Sequence, residues 1–304
     1  MTKINIWWQG ARPKTLGAAI SPVVVGSAIA YFEKSFNLLI SFLALIVSIS
    51  IQIGVNYAND YSDGIKGTDE NRIGPIRLVG QKLASPKDVR NASFLFFFIS
   101  AIAGLIITIS TKQWWFLGLG LFAIVSAWTY TGGPKPYGYI GLGEIFVFIF
   151  FGLAATLGTI YAQTLFFKSY FLIYAICMGL FATAILVANN LRDRKKDQQN
   201  NKKTLAVFIG DKNTRNLFIF LIFLSYFFPV FQTLVNLIQG IKIQVIPFFL
   251  ASIPFALAAI KPVRLGKKDK DLVEVLVTTG QTQLFYAALR SEEHTSELQS
   301  QSTI

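Results

Sequence analysis

Two groups of polar residues interrupt an otherwise apolar chain, and their types and spacing suit one kind of chemistry. The first is Asn56-Tyr-Ala-Asn59-Asp60-Tyr-Ser-Asp63. On a helix, Asn56, Asn59, Asp60 and Asp63 fall at i, i+3, i+4 and i+7 and share a face. The second is Asn189-Asn190-Leu-Arg192-Asp193-Arg-Lys-Lys-Asp197, in which Asn190, Asp193 and Asp197 fall at i, i+3 and i+7. Carboxylate oxygens of this kind suit Mg²⁺, which shares its coordination shell with water and substrate phosphates. Two such groups meeting on one cavity can hold two Mg²⁺ ions with a diphosphate between them. Lys14, Arg72, Arg77, Lys202 and Lys203 lie around the clusters and suit a leaving group carrying several negative charges. The chemistry this serves is departure of diphosphate from an allylic carbon, where metal ions stabilise the developing charge without a proton-transfer base. A single aspartate run at a helix end is commonly a solvated face. Two runs, each begun by asparagine, favour a site.

The elements that must position these residues are membrane spans. The chain has 304 residues, 53% of them hydrophobic and 14% charged, where a soluble domain carries about a quarter charged residues. A crossing needs roughly 20 apolar residues, and hydropathy places spans near 16–32, 38–57, 92–110, 114–130, 140–162, 170–190, 216–237, 243–260 and a shortened ninth at 273–289. The expected fold class is therefore an all-α membrane protein, a bundle of nine transmembrane helices. The clusters end spans two and six. With the N-terminus inside, 23 Lys and Arg fall on one side and four on the other, so the large loops and both clusters face the cytoplasm. Topology and anionic lipid account for the formal charge of +12, and nucleic acid is not needed.

Residues 1–289 read as one transmembrane domain. The string from Arg290 to Ser300, RSEEHTSELQS, resembles translated read-through of a sequencing-library adapter, so residues 290–304 are read as a non-native tail beginning where an apolar helix stops at Leu289. The only histidine, His294, lies there, which removes histidine chemistry. The lone Cys177 sits in an apolar run and reads as a core residue. The N-terminus lacks the pattern of a cleaved signal peptide. Trp7, Trp8, Trp114 and Trp115 read as interface anchors. Phe94–Phe98 and Phe146–Phe151 read as lipid-facing or packing aromatics, with a tunnel wall as the alternative.

On these motifs the chain resembles the UbiA superfamily of intramembrane prenyltransferases. Asn59-Asp60-x-x-Asp63 is similar to that family's first aspartate-rich motif and Asn190-x-x-Asp193-x-x-x-Asp197 to its second. It is most similar to the branch that prenylates 1,4-dihydroxy-2-naphthoate, through Ala11-Arg-Pro-Lys-Thr-Leu16, Lys66-Gly-Thr-Asp69, Arg72-Ile-Gly-Pro-Ile-Arg77, Tyr130-Thr-Gly-Gly-Pro-Lys-Pro136, Gly141-Leu-Gly-Glu-Ile-Phe-Val147, Asn189-Asn-Leu-Arg-Asp193 and Lys203-Thr-Leu-Ala206. The strings cover the chain from about residue 8 to 289.

The resemblance implies a helical bundle whose cavity opens to the cytoplasm and to membrane lipid. It implies Mg²⁺ on Asp60, Asp63, Asp193 and Asp197, with Asp69 in place of a further aspartate that many members carry where this chain has Gly67. Asn59, Asn190, Arg72, Lys203 and Lys14 are then expected on the diphosphate of a polyprenyl diphosphate, and Tyr130, Arg77 and Asn56 around the acceptor. The implied reaction joins the polyprenyl group to the ring carbon bearing the carboxylate of 1,4-dihydroxy-2-naphthoate, with loss of CO₂ and diphosphate, giving demethylmenaquinone. Sibling enzymes acting on 4-hydroxybenzoate or homogentisate share the aspartates, but the loop strings after Asp63 and Tyr130 argue against them. A transporter is disfavoured because the charges gather at helix ends on one side and not at the midplane.

Overall fold

The computed structural model describes residues 2–67, 76–239 and 248–302, and among these the secondary structure is helical, without strands. In chain order the helices are α1 (Lys3–Gly10), α2 (Gly17–Phe32), α3 (Leu38–Ile65), α4 (Pro86–Thr111), α5 (Trp115–Thr129), α6 (Gly143–Val147), α7 (Ala155–Thr164), α8 (Phe171–Gln199), α9 (Leu205–Ile238), α10 (Ile253–Arg264) and α11 (Lys270–Ser302). A π-helical segment, Phe148–Ala154, joins α6 to α7 into one rod. Of the nine crossings expected, five have a stretch among the described residues that is long and apolar enough to cross a membrane: α3, α4, Gly143–Thr164, α8 and α9. A sixth arises if the pair on either side of the α1–α2 break, bent by 54°, counts as one span, and α5 is a shorter apolar helix.

Local chemistry sets the ends. The Asn37 side chain caps α3 by accepting from the Ile40 N–H at 3.1 Å. Ser85 caps α4 the same way at Asp88, 3.1 Å, with Pro86 at the first helical position, where no N–H is required. Both α3 and α8 continue past their apolar stretches, to Ile65 and Gln199, so the aspartate clusters are helical. The last helix departs from expectation. It does not stop at Leu289 but runs to Ser302, and Arg290, assigned to the tail, is buried with its guanidinium 4.7 Å from the rings of both Tyr174 and Phe249. Residues such as Glu, Leu and Gln are good helix formers, so polarity alone gives α11 no reason to end.

Packing divides the molecule. The largest core joins α8, α9, α10 and α11 with α2, through Phe181, Met178, Phe218, Ile222, Leu272 and Tyr286. A second region, α3, α4, α5 and α7 with the π segment, is more open and encloses a cavity. Small residues allow the close approaches that stand in for hydrophobic driving force inside a bilayer. A Cβ on Gly54 would lie 2.5 Å from Phe97 on α4, and one on Gly152 would lie 2.4 Å from the Gly179 Cα on α8. The break between α1 and α2 holds Arg12 in the left-handed region, at φ 56°. Asn56 Nδ2 donates to the Ala11 carbonyl at 2.9 Å and the Tyr57 hydroxyl to that of Trp7 at 2.8 Å, which pins the break against α3.

Candidate active site

The C-terminal ends of α3 and α8 meet at one end of a cavity of about 520 Å³. Its far part is apolar, lined by Val47 and Ile51 of α3, Gly104 and Leu105 of α4, Phe116 and Gly120 of α5, and Phe150, Phe151 and Gly158 of the rod that ends in α7. The end of α6 presents Phe146 and Val147 to the cavity, and the wide π turn presents Phe150, Phe151 and Ala154. These phenylalanines are therefore tunnel wall, the alternative reading in the sequence. The near part is polar: Arg12, Asn56, Asn59, Asp63, Arg77, Tyr130, Tyr137, Asn189, Asn190, Arg192 and Lys202 all line it.

The expected site residues divide. Asp63, Asn56, Asn59, Arg77, Tyr130 and Asn190 reach the cavity. Asn59 Oδ1 accepts from the Thr131 hydroxyl at 2.7 Å. Asp63 is 2% exposed. It accepts a hydrogen bond from the Tyr139 hydroxyl at 2.7 Å, and the Lys202 ammonium stands 3.8 Å from its other oxygen. Asp60 takes another direction. It is 1% exposed, and its two oxygens accept from the backbone N–H groups of Leu78 and Val79 at 2.8 and 3.1 Å. It does not line the cavity; it holds the turn that follows Arg77. Asp193 and Asp197 are buried beside the cavity and do not line it. Lys14 and Lys203 are exposed and off the cavity wall, and Lys202 occupies the place expected of Lys203. Arg72 and Asp69 lie outside the described residues.

Five side chains that sequence reasoning did not assign to the site are prominent here. Tyr139, in the loop between α5 and α6, has the Lys66 ammonium 4.7 Å and the Lys202 ammonium 5.0 Å from its ring centre. Its carbonyl also accepts from the Lys203 N–H at 3.0 Å, tying this loop to the residues after α8. Lys66 reaches the Thr131 carbonyl at 2.8 Å, and burial pulls its ammonium below the ordinary value, partly opposed by Asp63. Burial likewise pushes the Tyr137 phenol up. Arg192 makes a two-point fork with Asp193, at 2.8 and 2.7 Å, and a further bond to Asn189 Oδ1 at 2.8 Å. Glu144 serves as support: its Oε1 accepts from Asn190 Nδ2 at 2.9 Å, which orients the carboxamide from a different helix. Consecutive charged residues such as Arg192-Asp193 look like surface in a sequence. The only sign of burial was their place one turn beyond an apolar span.

For a metal, the donor set is limited. Among the described residues no three carboxylates gather at one point. Mg²⁺ does not require such a cage, since one or two carboxylates with substrate phosphates and water are its usual company. Buried carboxylates from two helix ends beside a cationic cavity mouth fit that mode. Above an apolar channel, this head can grip a polyanion and leave a long hydrocarbon chain in the bilayer-depth part of the fold.

Comparison with known proteins supports the same reading. The chain is 43% identical to 1,4-dihydroxy-2-naphthoate octaprenyltransferase of Mycobacterium leprae, over 94% of this chain and 95% of that one. It is 38% identical to the enzyme of the same name from Escherichia coli, over 71% and 72%. Among solved structures, a UbiA homolog from Archaeoglobus fulgidus bound to GPP and Mg²⁺ shares the fold at a TM-score of 0.64 and 13% identity, covering 95% of this chain and 99% of that one. The profile of the UbiA prenyltransferase family matches residues 19–275. With that match and relatives of such identity along nearly its whole length, this chain belongs to the UbiA prenyltransferase family.

Proposed function

We propose that this protein transfers a polyprenyl group from polyprenyl diphosphate to 1,4-dihydroxy-2-naphthoate. The observation that carries the reading is the cavity itself: a buried head with Asp63, Arg12, Arg77, Arg192 and Lys202 opening into an apolar channel. The names of relatives at 38% to 43% identity point to the same donor and acceptor.

Arg12, Arg77 and Lys202, which line the polar part of the cavity, bind the diphosphate. Asp63 from α3 and Asp197 from α8 are the carboxylates offered to Mg²⁺, joined by Asp69, while Asp193, with both oxygens on Arg192, holds that arginine in place. Mg²⁺, when bound, neutralises the charge that builds on the leaving diphosphate. The allylic carbon–oxygen bond breaks with its electron pair leaving on diphosphate, and the apolar channel keeps water from the carbon so exposed. The ring carbon bearing the acceptor carboxylate forms the new bond. Loss of CO₂ returns its electron pair to the ring and leaves the hydroquinone form of demethylmenaquinone. Asp60 works at one remove, fixing the turn that carries Arg77.

The same proposal covers topology. The helical segments make nine crossings, with α2, α5, α10 and the apolar first part of α11 completing the set begun by the five long apolar ones. The basic loops, the head of the cavity and both aspartate clusters face the cytoplasm. The residues after 289 are a non-native continuation of α11. The experiment is purified protein with Mg²⁺, a polyprenyl diphosphate and each of 1,4-dihydroxy-2-naphthoate, 4-hydroxybenzoate and homogentisate, following prenylated product and CO₂. Product and CO₂ only with the naphthoate are expected. Turnover of 4-hydroxybenzoate alone would refute the acceptor assignment.

A further inference from the structure

We infer that Arg192 is the residue that recognises the carboxylate of the aromatic acceptor, an inference that rests on the function proposed above. Its side chain is 2% exposed and lines the cavity. Nε and Nη2 are committed to Asp193 and Asn189, while Nη1 is buried with no hydrogen-bond partner. A guanidinium carries five N–H donors in a fixed plane. Two of them, both on Nη1, are left over, and a buried donor without an acceptor is a place prepared for one.

Charge selects the class of ligand. The fork with Asp193 already balances the Arg192 cation, so the free edge suits an anion of one charge. Elsewhere in the cavity lining, Arg12, Arg77 and Lys202 against Asp63 carry the surplus positive charge that a diphosphate needs. Shape selects further. The cavity that Arg192 lines is also lined by Tyr130 and Tyr137, whose ring centres are 5.4 Å apart, and Phe146 stacks on Tyr137 at 4.1 Å. A flat aromatic ring with one carboxylate matches rings beside a guanidinium edge. Asn189 and Asp193 hold the guanidinium plane, and act as positioning residues.

The test separates carboxylate from diphosphate. Detergent-purified protein without donor or Mg²⁺ is titrated with 1-hydroxy-2-naphthoate and with 1-naphthol, the same ring without the carboxylate, following tryptophan fluorescence. Geranyl diphosphate with Mg²⁺ is titrated separately, and turnover of 1,4-dihydroxy-2-naphthoate by the unaltered protein is measured first. The unaltered protein is expected to prefer the carboxylated ring by roughly 10- to 100-fold. Arg192→Gln should lose that preference by weakening only 1-hydroxy-2-naphthoate, with geranyl diphosphate binding changed less than about 3-fold. Arg192→Lys, which keeps the charge and the fold, should retain part of it. Equal binding of both rings by the unaltered protein, an Arg192→Gln variant that still discriminates, or a loss confined to geranyl diphosphate overturns the assignment and leaves the proposed reaction standing. Absence of turnover in the unaltered protein overturns both.

Discussion

The ends of α3 and α8 carry the same residue types at nearly the same spacing, yet they spend them differently. At the α3 end the two carboxylates diverge. Asp63 meets Tyr139 and Lys202 at the cavity, while Asp60 gives both oxygens to the backbone of Leu78 and Val79. At the α8 end the polar groups are already matched to protein partners, Asp193 by Arg192 and Asn190 by Glu144. Consecutive residues on a helix stand about 100° apart, so Asn59 and Asp60 lie at opposite edges of the face they share. One edge looks into the cavity and the other toward the 76–80 segment. Shared spacing identifies a face; which edge of it does chemistry depends on what packs alongside.

This contrast is open to direct attack. Asp63→Ala should show the largest effect on catalysis, a fall in kcat of at least about 10²-fold that persists after correction for the folded fraction, since stranding the Tyr139 hydroxyl and the Lys202 ammonium also lowers stability. Near-normal turnover would remove Asp63 from the site and dissolve the difference between the two carboxylates. Asp60→Ala should behave in the opposite way. It strands two buried N–H groups at roughly 1–3 kcal/mol each, so the expected signature is a lowered Tm in detergent, with activity lost in proportion to folded protein. Asp60→Asn, which keeps one acceptor, should recover part of the Tm. An Asp60→Ala protein that melts normally and fails to turn over would instead make it a ligand like its neighbour. Tyr139→Phe keeps the ring between two ammonium groups and removes only the bond to Asp63; a change of about 3- to 10-fold in kcat/KM is expected from one charge-assisted hydrogen bond. Glu144→Gln should be the mildest, within about 3-fold, because the new amide oxygen still accepts from Asn190. A larger loss would mean that the α8 end depends on charge as well as on orientation.

The architecture was readable to a useful depth, for reasons that are physical. Apolar run length marked where the long helices lie, because the bilayer penalises charge and rewards internally bonded backbone over lengths that sequence displays plainly. Of the polar residues that line the cavity, Asp63, Asn59, Asn56, Arg77, Tyr130 and Asn190 were named from spacing and from motif. Tyr139 was missed because a tyrosine beside glycine and proline looks like ordinary turn chemistry, and its two lysine neighbours are distant in sequence. Arg192 was passed over because its burial depends on α8 continuing as helix past the apolar run. Asp60 was grouped with Asp63 because its partners, the amides of Leu78 and Val79, are backbone groups that leave no trace in residue type. The end of α11 at Leu289 was misjudged because a change of polarity was read as a change of conformation.

The close approach of Gly152 to Gly179 has a consequence for substrates. Along that contact the rod and α8 touch backbone to backbone, so even one added Cβ would collide and the rod cannot approach α8 any further. Across the channel, Gly104 of α4 and Gly120 of α5 each leave room for a Cβ with nothing within 4 Å. The channel is thus a calliper with one fixed jaw, and any adjustment of the hydrocarbon it measures has to be made on the other.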